Sequence, residues 1–225
     1  MISFPRFIQI ETTILCNSHC VFCPHNEMDR GPKIMEEWVW KKIIDESRGR
    51  GIIYRPFMIN EPTVDPKLPE ILRYIKLDET AKTEFNSNGH FSAKTDIKAL
   101  IAAGIDHVRF SIDALTEETF KQTGRGGKFS RIVQNIRDFI DERNRQQSSC
   151  KIEVRMINLE CNRSEQKDYI EYWSKYADSV TITELYDWPW SGQTEPRGVP
   201  SFLWLAPLCA FLQHRRQGSS SLSPP

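Results

Sequence analysis

Phe7-Ile-Gln-Ile-Glu-Thr12-Thr-Ile-Leu-Cys16-Asn-Ser-His-Cys20-Val-Phe-Cys23-Pro24 decides the fold. A short run of strand-forming residues leads directly into a loop that carries three cysteines within eight residues. Outward from this stretch the same alternation recurs as far as Tyr186, with short β-branched runs separated by longer segments of helical period. The expected strands are Phe7–Thr12, Phe57–Asn60, Thr83–Ser87, His107–Asp113, Lys151–Ile157 and Val180–Tyr186. Pro56 cannot donate to a sheet ladder, so it is placed at the leading edge of the second strand. The clearest helical stripes are Leu68, Ile71, Leu72 and Ile75, then Phe129, Ile132, Val133, Ile136, Phe139 and Ile140. Gly104 follows a third stripe, where a left-handed helix end is expected.

Repeated βα units imply a parallel sheet with right-handed crossovers. Six units fall short of the about 250 residues typical of a closed eight-fold barrel. The expected fold is therefore α/β, a partial (β/α)6 TIM-like barrel over residues 1–190. In such a fold the chemistry lies at the carboxyl ends of the strands. Residues 191–225 are rich in Pro, Gly, Ser and Gln and are expected to be an irregular tail, either disordered, diverged or truncated.

At 225 residues the chain can bury roughly 70% of the surface its unfolded form exposes, so no staple is needed. Apolar residues at 39% and charged residues at 27% describe an ordinary globular protein. Thirty basic and thirty acidic residues cancel, leaving no net field to steer nucleic acid or anionic lipid; neither is expected as a partner. The start lacks a signal-peptide pattern and no apolar run reaches eighteen residues, so a cytoplasmic location is expected. Thiols there stay reduced, which points the clustered cysteines toward metal rather than disulfides.

A C-x3-C-x2-C loop supplies three thiolates. Three ligands would leave one iron of a cubane open to bind a substrate or cofactor directly, whereas electron-carrying clusters usually have four. The alternative is a structural zinc site completed by His19 or His25 in a non-catalytic binding module. Structural zinc usually takes its ligands as two separated pairs, whereas here all three cysteines share one loop.

The strand and loop resemble the radical S-adenosylmethionine superfamily, whose hallmark is this cysteine spacing after the first strand of a partial (β/α)6 barrel. The resemblance implies a [4Fe–4S] cluster on Cys16, Cys20 and Cys23, with S-adenosylmethionine as second cofactor and an electron donor such as flavodoxin or ferredoxin. It implies reductive cleavage of S-adenosylmethionine to a 5′-deoxyadenosyl radical that takes hydrogen from a substrate. Asn60-Glu61-Pro62 stands where many members have Gly-Glu-Pro or Gly-Gly-Glu, which implies contact of Asn60 and Glu61 with the methionine amino group. The same residues read as a plain strand-to-helix turn.

Further positions carry over in the same way. Asn88-Gly89 is similar to a Thr-Asn-Gly sequence of relatives and implies a contact from Asn88, although Asn-Gly is a strong turn signal in any case. Ser111 and Asp113 resemble a Ser-x-Asp pattern that meets the ribose or carboxylate; alternation puts both on one face, and Asp113 alternatively caps a helix starting near Thr116. Arg155 fits bidentate pairing with the methionine carboxylate or, instead, an ion pair with Glu11 or Glu153. Phe22 occupies the place of an aromatic against the adenine. His19 and His25 read as solvent-facing or supporting groups, and Cys150 and Cys161 as bystanders on opposite ends of the fifth strand. No side chain is singled out as catalytic.

Cys23-Pro24 with Asn60-Glu61-Pro62, and the Gly124-Arg-Gly-Gly-Lys-Phe129 stretch, resemble members with SPASM or twitch extensions, which implies a peptide, protein or small-metabolite substrate. A SPASM extension needs several further cysteines, and only Cys209 follows Trp190. A relative that keeps the barrel but has lost turnover is therefore also compatible with the residues.

Overall fold

The computed structural model describes residues 4–28, 30, 33–92 and 95–185. Six strands, β1 (Phe7–Gln9), β2 (Ile53–Arg55), β3 (Lys82–Ser87), β4 (His107–Ser111), β5 (Lys151–Asn158) and β6 (Ser179–Glu184), lie side by side in chain order. Every neighbouring pair is parallel. The crossovers contain α1 (Glu37–Ser47), α2 (Leu68–Ile75), α3 (Ile97–Ala102), α4 (Glu117–Gln122), α5 (Phe129–Arg145) and α6 (Gln166–Trp173). This is the open, partial barrel expected from the alternation.

Strand alternation divides the sheet into two faces. Tyr54, Phe85, Val108, Phe110, Ile152, Val154 and Met156 are buried beneath the helices. Tyr54 packs with Trp40 and Ile44 of α1 and Ile71 and Ile75 of α2, and the others share a core with Leu68 and Leu72 of α2 and Ile132, Ile136, Phe139 and Ile140 of α5, the stripes read from the sequence. The opposite face carries Arg55, Glu84, Asn86, His107, Arg109, Ser111, Glu153 and Arg155. Gly104 takes a φ of 84° and ends α3, as its position predicts.

Two expectations are corrected. The second strand is Ile53–Arg55, and Phe57–Asn60 is the loop after it. Pro56 thus follows the strand rather than leading it; without an N–H it stops the ladder that the Ile52-Ile-Tyr run begins. A short helix, α4, also precedes the long one. Its cap is Thr116, whose side chain accepts from Thr119 N at 3.2 Å, and not Asp113. The expected end of the sixth strand, Tyr186, and the tail with Cys209 lie outside the described residues. Among the described residues no helix is long and apolar enough to cross a membrane.

Candidate functional site

The cysteine loop leaves the carboxyl end of β1 and is tied to three other elements. Glu61 N donates to Leu15 O at 3.0 Å, fixing the loop to the exit of β2. Beyond β3, Asn88 Nδ2 donates to Asn17 Oδ1 and Ser18 Oγ, each at 2.8 Å, and lies 4.0 Å from Cys16 Sγ. Asn17 Nδ2 in turn donates to His90 O at 2.8 Å. On the far side Val21 N donates to Thr123 O at 3.1 Å. The neighbouring Gly124 has φ +67°, and a Cβ there would stand 2.7 Å from Val21 Cγ1 and 3.0 Å from His19 O. Only glycine admits that approach in that conformation.

The three thiols are unpaired and partly buried. Burial pushes Cys16 up to about 11, and it raises Cys20 as well, opposed there by the charge of Arg125. Thiolates at these positions therefore need a cation nearby, which metal ligation supplies. Among the described residues no three Cys, His, Asp or Glu side chains are gathered as around a single metal ion. His25, a possible fourth zinc ligand on sequence grounds, donates from Nε2 to Ile14 O at 2.8 Å.

The other predicted residues separate into two groups. Asn60 and Asn88 follow β2 and β3, Ser111 ends β4, and Arg155 lies in register beside Ser111 on β5. Asn60 Oδ1 accepts from Met58 N at 2.9 Å, leaving Nδ2 buried with no partner. The free end of Asn60 is thus a donor, suited to a carboxylate and not to an amino group. Arg155 Nη2 donates to Glu153 Oε1 at 3.1 Å, the ion-pair alternative read from the sequence, while its Nε is buried and unpaired. Glu11 pairs with Arg30 instead, at 2.6 Å.

Glu61 and Asp113 form the second group, and both carboxylates are bonded to the protein. Burial raises the Glu61 carboxyl, and four donors oppose that: Thr63 N at 3.1 Å, Thr63 Oγ1 at 2.7 Å, Ser87 Oγ at 3.0 Å and Asn88 N at 2.6 Å. Asp113 is wholly buried and accepts from Ile157 N at 2.7 Å, from Arg125 Nε at 2.9 Å and again from Arg125 Nη2. The face-sharing of Ser111 and Asp113 does not extend past β4: Asp113 turns inward to this pair.

Arg125 was not among the sequence candidates. Its guanidinium lies 5.6 Å from the centroid of Phe22 and is 6% exposed. The available signal was a cation set among three glycines, Gly124, Gly126 and Gly127, all with positive φ. Cys150 is buried just before β5, and Cys161 follows β5 in a 3-10 turn, as expected of residues at opposite ends of the strand.

Residues 10–153 match the Radical SAM superfamily. The chain belongs to that superfamily. This radical S-adenosylmethionine chain is 26% identical over 182 residues to a probable GTP 3′,8-cyclase of Methanococcus maripaludis, across 80% of this chain and 59% of that protein. It is 30% identical over 135 residues to a probable GTP 3′,8-cyclase of Saccharolobus islandicus, across 60% and 43%. The chain thus spans about three-fifths or less of the length of these relatives. Its fold is similar to that of Streptococcus suis SuiB bound to precursor peptide SuiA, with a TM-score of 0.67, 16% identity and coverage of 82% of this chain and 40% of SuiB. It is also similar to anSMEcpe with bound AdoMet, with a TM-score of 0.62, 13% identity and coverage of 80% and 52%.

Membership brings a [4Fe–4S] cluster and S-adenosylmethionine as cofactors. The residues fit them. Three thiols share one pinned loop, and two buried N–H groups, Asn60 Nδ2 and Arg155 Nε, lack acceptors that a carboxylate supplies.

Proposed function

We propose that this chain is a radical S-adenosylmethionine enzyme whose core barrel is residues 1–190, with 191–225 a separate tail. The observation that carries this is the C-x3-C-x2-C loop at the carboxyl end of β1, pinned by Asn88 and Glu61. Cys16, Cys20 and Cys23 would hold the cluster. When bound, the two cofactors supply an electron and a 5′-deoxyadenosyl radical able to take hydrogen from a C–H bond.

The chain's own residues bind and orient. Arg155 Nε and Asn60 Nδ2 donate to the methionine carboxylate, and main-chain carbonyls of the 58–60 turn accept from its amino group. Glu61 holds that turn in place rather than contacting the amino group through its own carboxylate. Ser111 faces the ribose or carboxylate, Asn88 the cofactor or substrate, and Phe22 the adenine. Asp113 acts only through Arg125.

The substrate is a peptide, a protein or a small metabolite. SuiB was captured with a precursor peptide, and the curated relatives are named as cyclases of a nucleotide. An electron donor such as flavodoxin or ferredoxin and a cytoplasmic location complete the reading. Anaerobic purification tests it: a brown protein, a paramagnetic signal on reduction and release of 5′-deoxyadenosine from S-adenosylmethionine are expected. Colourless protein holding stoichiometric zinc would refute it.

A further inference from the structure

We propose that Arg125 is a positioning residue for the iron–sulfur cluster, a buried cation lodged under the cysteine loop that shapes the loop and eases the cluster's reduction. The turn that carries it meets the loop at three successive residues. Its guanidinium packs on Phe22, the residue just before the third cysteine, at 5.6 Å. The preceding Thr123 carbonyl accepts from Val21 N at 3.1 Å. Gly124 between them approaches so closely that a Cβ would strike Val21 Cγ1 at 2.7 Å. The turn between α4 and α5 is thus moulded to residues 19–22.

A guanidinium this deeply buried, 6% exposed, is costly unless paired, and Asp113 at 0% exposure is its partner. The pair is asymmetric toward the loop. Arg125 meets Phe22, whereas the second oxygen of Asp113 turns away to accept from Ile157 N at 2.7 Å. The positive end of the pair therefore meets the cysteine loop, at Phe22. A cluster with its thiolates gains negative charge when it accepts an electron, so a fixed cation in a low-dielectric site favours the reduced form.

The inference rests on the proposed cluster on Cys16, Cys20 and Cys23. The full chain, reconstituted anaerobically, is compared as wild type, Arg125→Met, Arg125→Lys and Asp113→Asn by iron content, circular dichroism and paramagnetic redox titration. Arg125→Met is expected to move the midpoint negative by at least tenfold in the reduction equilibrium, 59 mV for a one-electron couple. Arg125→Lys recovers most of that shift. Asp113→Asn, which keeps the cation and an acceptor for Ile157 N, moves it the other way.

An iron-loaded Arg125→Met with an unchanged midpoint overturns the inference, as does a lysine variant no better than methionine. Should Arg125→Met fail to fold, Asp113→Asn decides: a midpoint equal to wild type overturns the inference and a positive shift upholds it. If wild type itself takes up no iron, the cluster reading fails instead, so the two failures are distinguishable.

Discussion

The two faces of one sheet follow opposite rules. On the helix side, Phe85, Val108, Phe110 and Val154 are all within 1% of complete burial and belong to one apolar core. On the inner side the residues between them form a chain of charge: Arg55 pairs with Glu84, Glu84 with His107 at 3.8 Å, His107 with Glu153 at 3.4 Å, and Glu153 with Arg109 at 2.8 Å and Arg155 at 3.1 Å. The same backbone therefore serves cohesion on one face and recognition on the other. Stability should be governed from outside the sheet, and chemistry from inside it and from its carboxyl rim.

Substitutions can break that division. The largest effect falls on the rim. Cys20→Ala should abolish 5′-deoxyadenosine release while leaving the far-ultraviolet circular dichroism of the barrel in place; retained turnover would remove Cys20 from the ligand set. On the helix side, Phe139→Ala deletes a ring that stacks edge-on against Phe110 at 5.2 Å. It should cost about 3–5 kcal/mol in denaturant unfolding. The remaining folded fraction should still bind S-adenosylmethionine with unchanged affinity.

Arg155→Gln sharpens the contrast from the inner face. Losing a charge-assisted hydrogen bond, about 1.5–3 kcal/mol, should weaken S-adenosylmethionine binding by about 10–100-fold with little change in unfolding midpoint. Calorimetric titration of the iron-loaded protein checks it. Thr116→Ala removes the α4 cap and should cost about 1 kcal/mol of stability with no effect on binding.

The smallest effect is a dependence on pH. Hydrogen bonds to Glu153 and Glu84 raise His107 above its ordinary 6.5, so its contribution is complete below that value and fades as pH rises through the raised one. Burial would raise Glu153, but His107, Thr181 and Arg109 donate to it and hold it well below its ordinary 4.5. Its contribution is present above 4.5 and is lost on acidification. Stability should therefore peak between these limits and decline as pH rises through the raised histidine value, and His107→Gln should flatten that alkaline decline. An unaltered decline in that variant would assign it to another group.

Local periodicity explains what the sequence could disclose. The stripes on α2 and α5, the six βα units and the Gly104 helix end depend on residues a few positions apart, and all are read correctly. The β2 boundary failed because Phe57-Met-Ile59 is as apolar as a strand, and only the missing N–H of Pro56 tells the two runs apart. The surroundings of Asp113 and Glu61 were hidden for a different reason. Their partners, Arg125 in one case and Ser87 and Asn88 in the other, are set by the fold and not by spacing. The cysteines were legible because their chemistry is carried by three residues in one loop; the cation beneath them came from another crossover.

That loop also has a consequence for the order of events during synthesis. Cys16, Cys20 and Cys23 leave the ribosome well before Asn88, which shapes their loop and is 71 residues beyond Asn17. Thr123 and Gly124 come later still. The thiols must therefore wait, exposed and unshaped, until the turn at Gly124 has been made, so iron delivered earlier would meet a flexible peptide rather than a site.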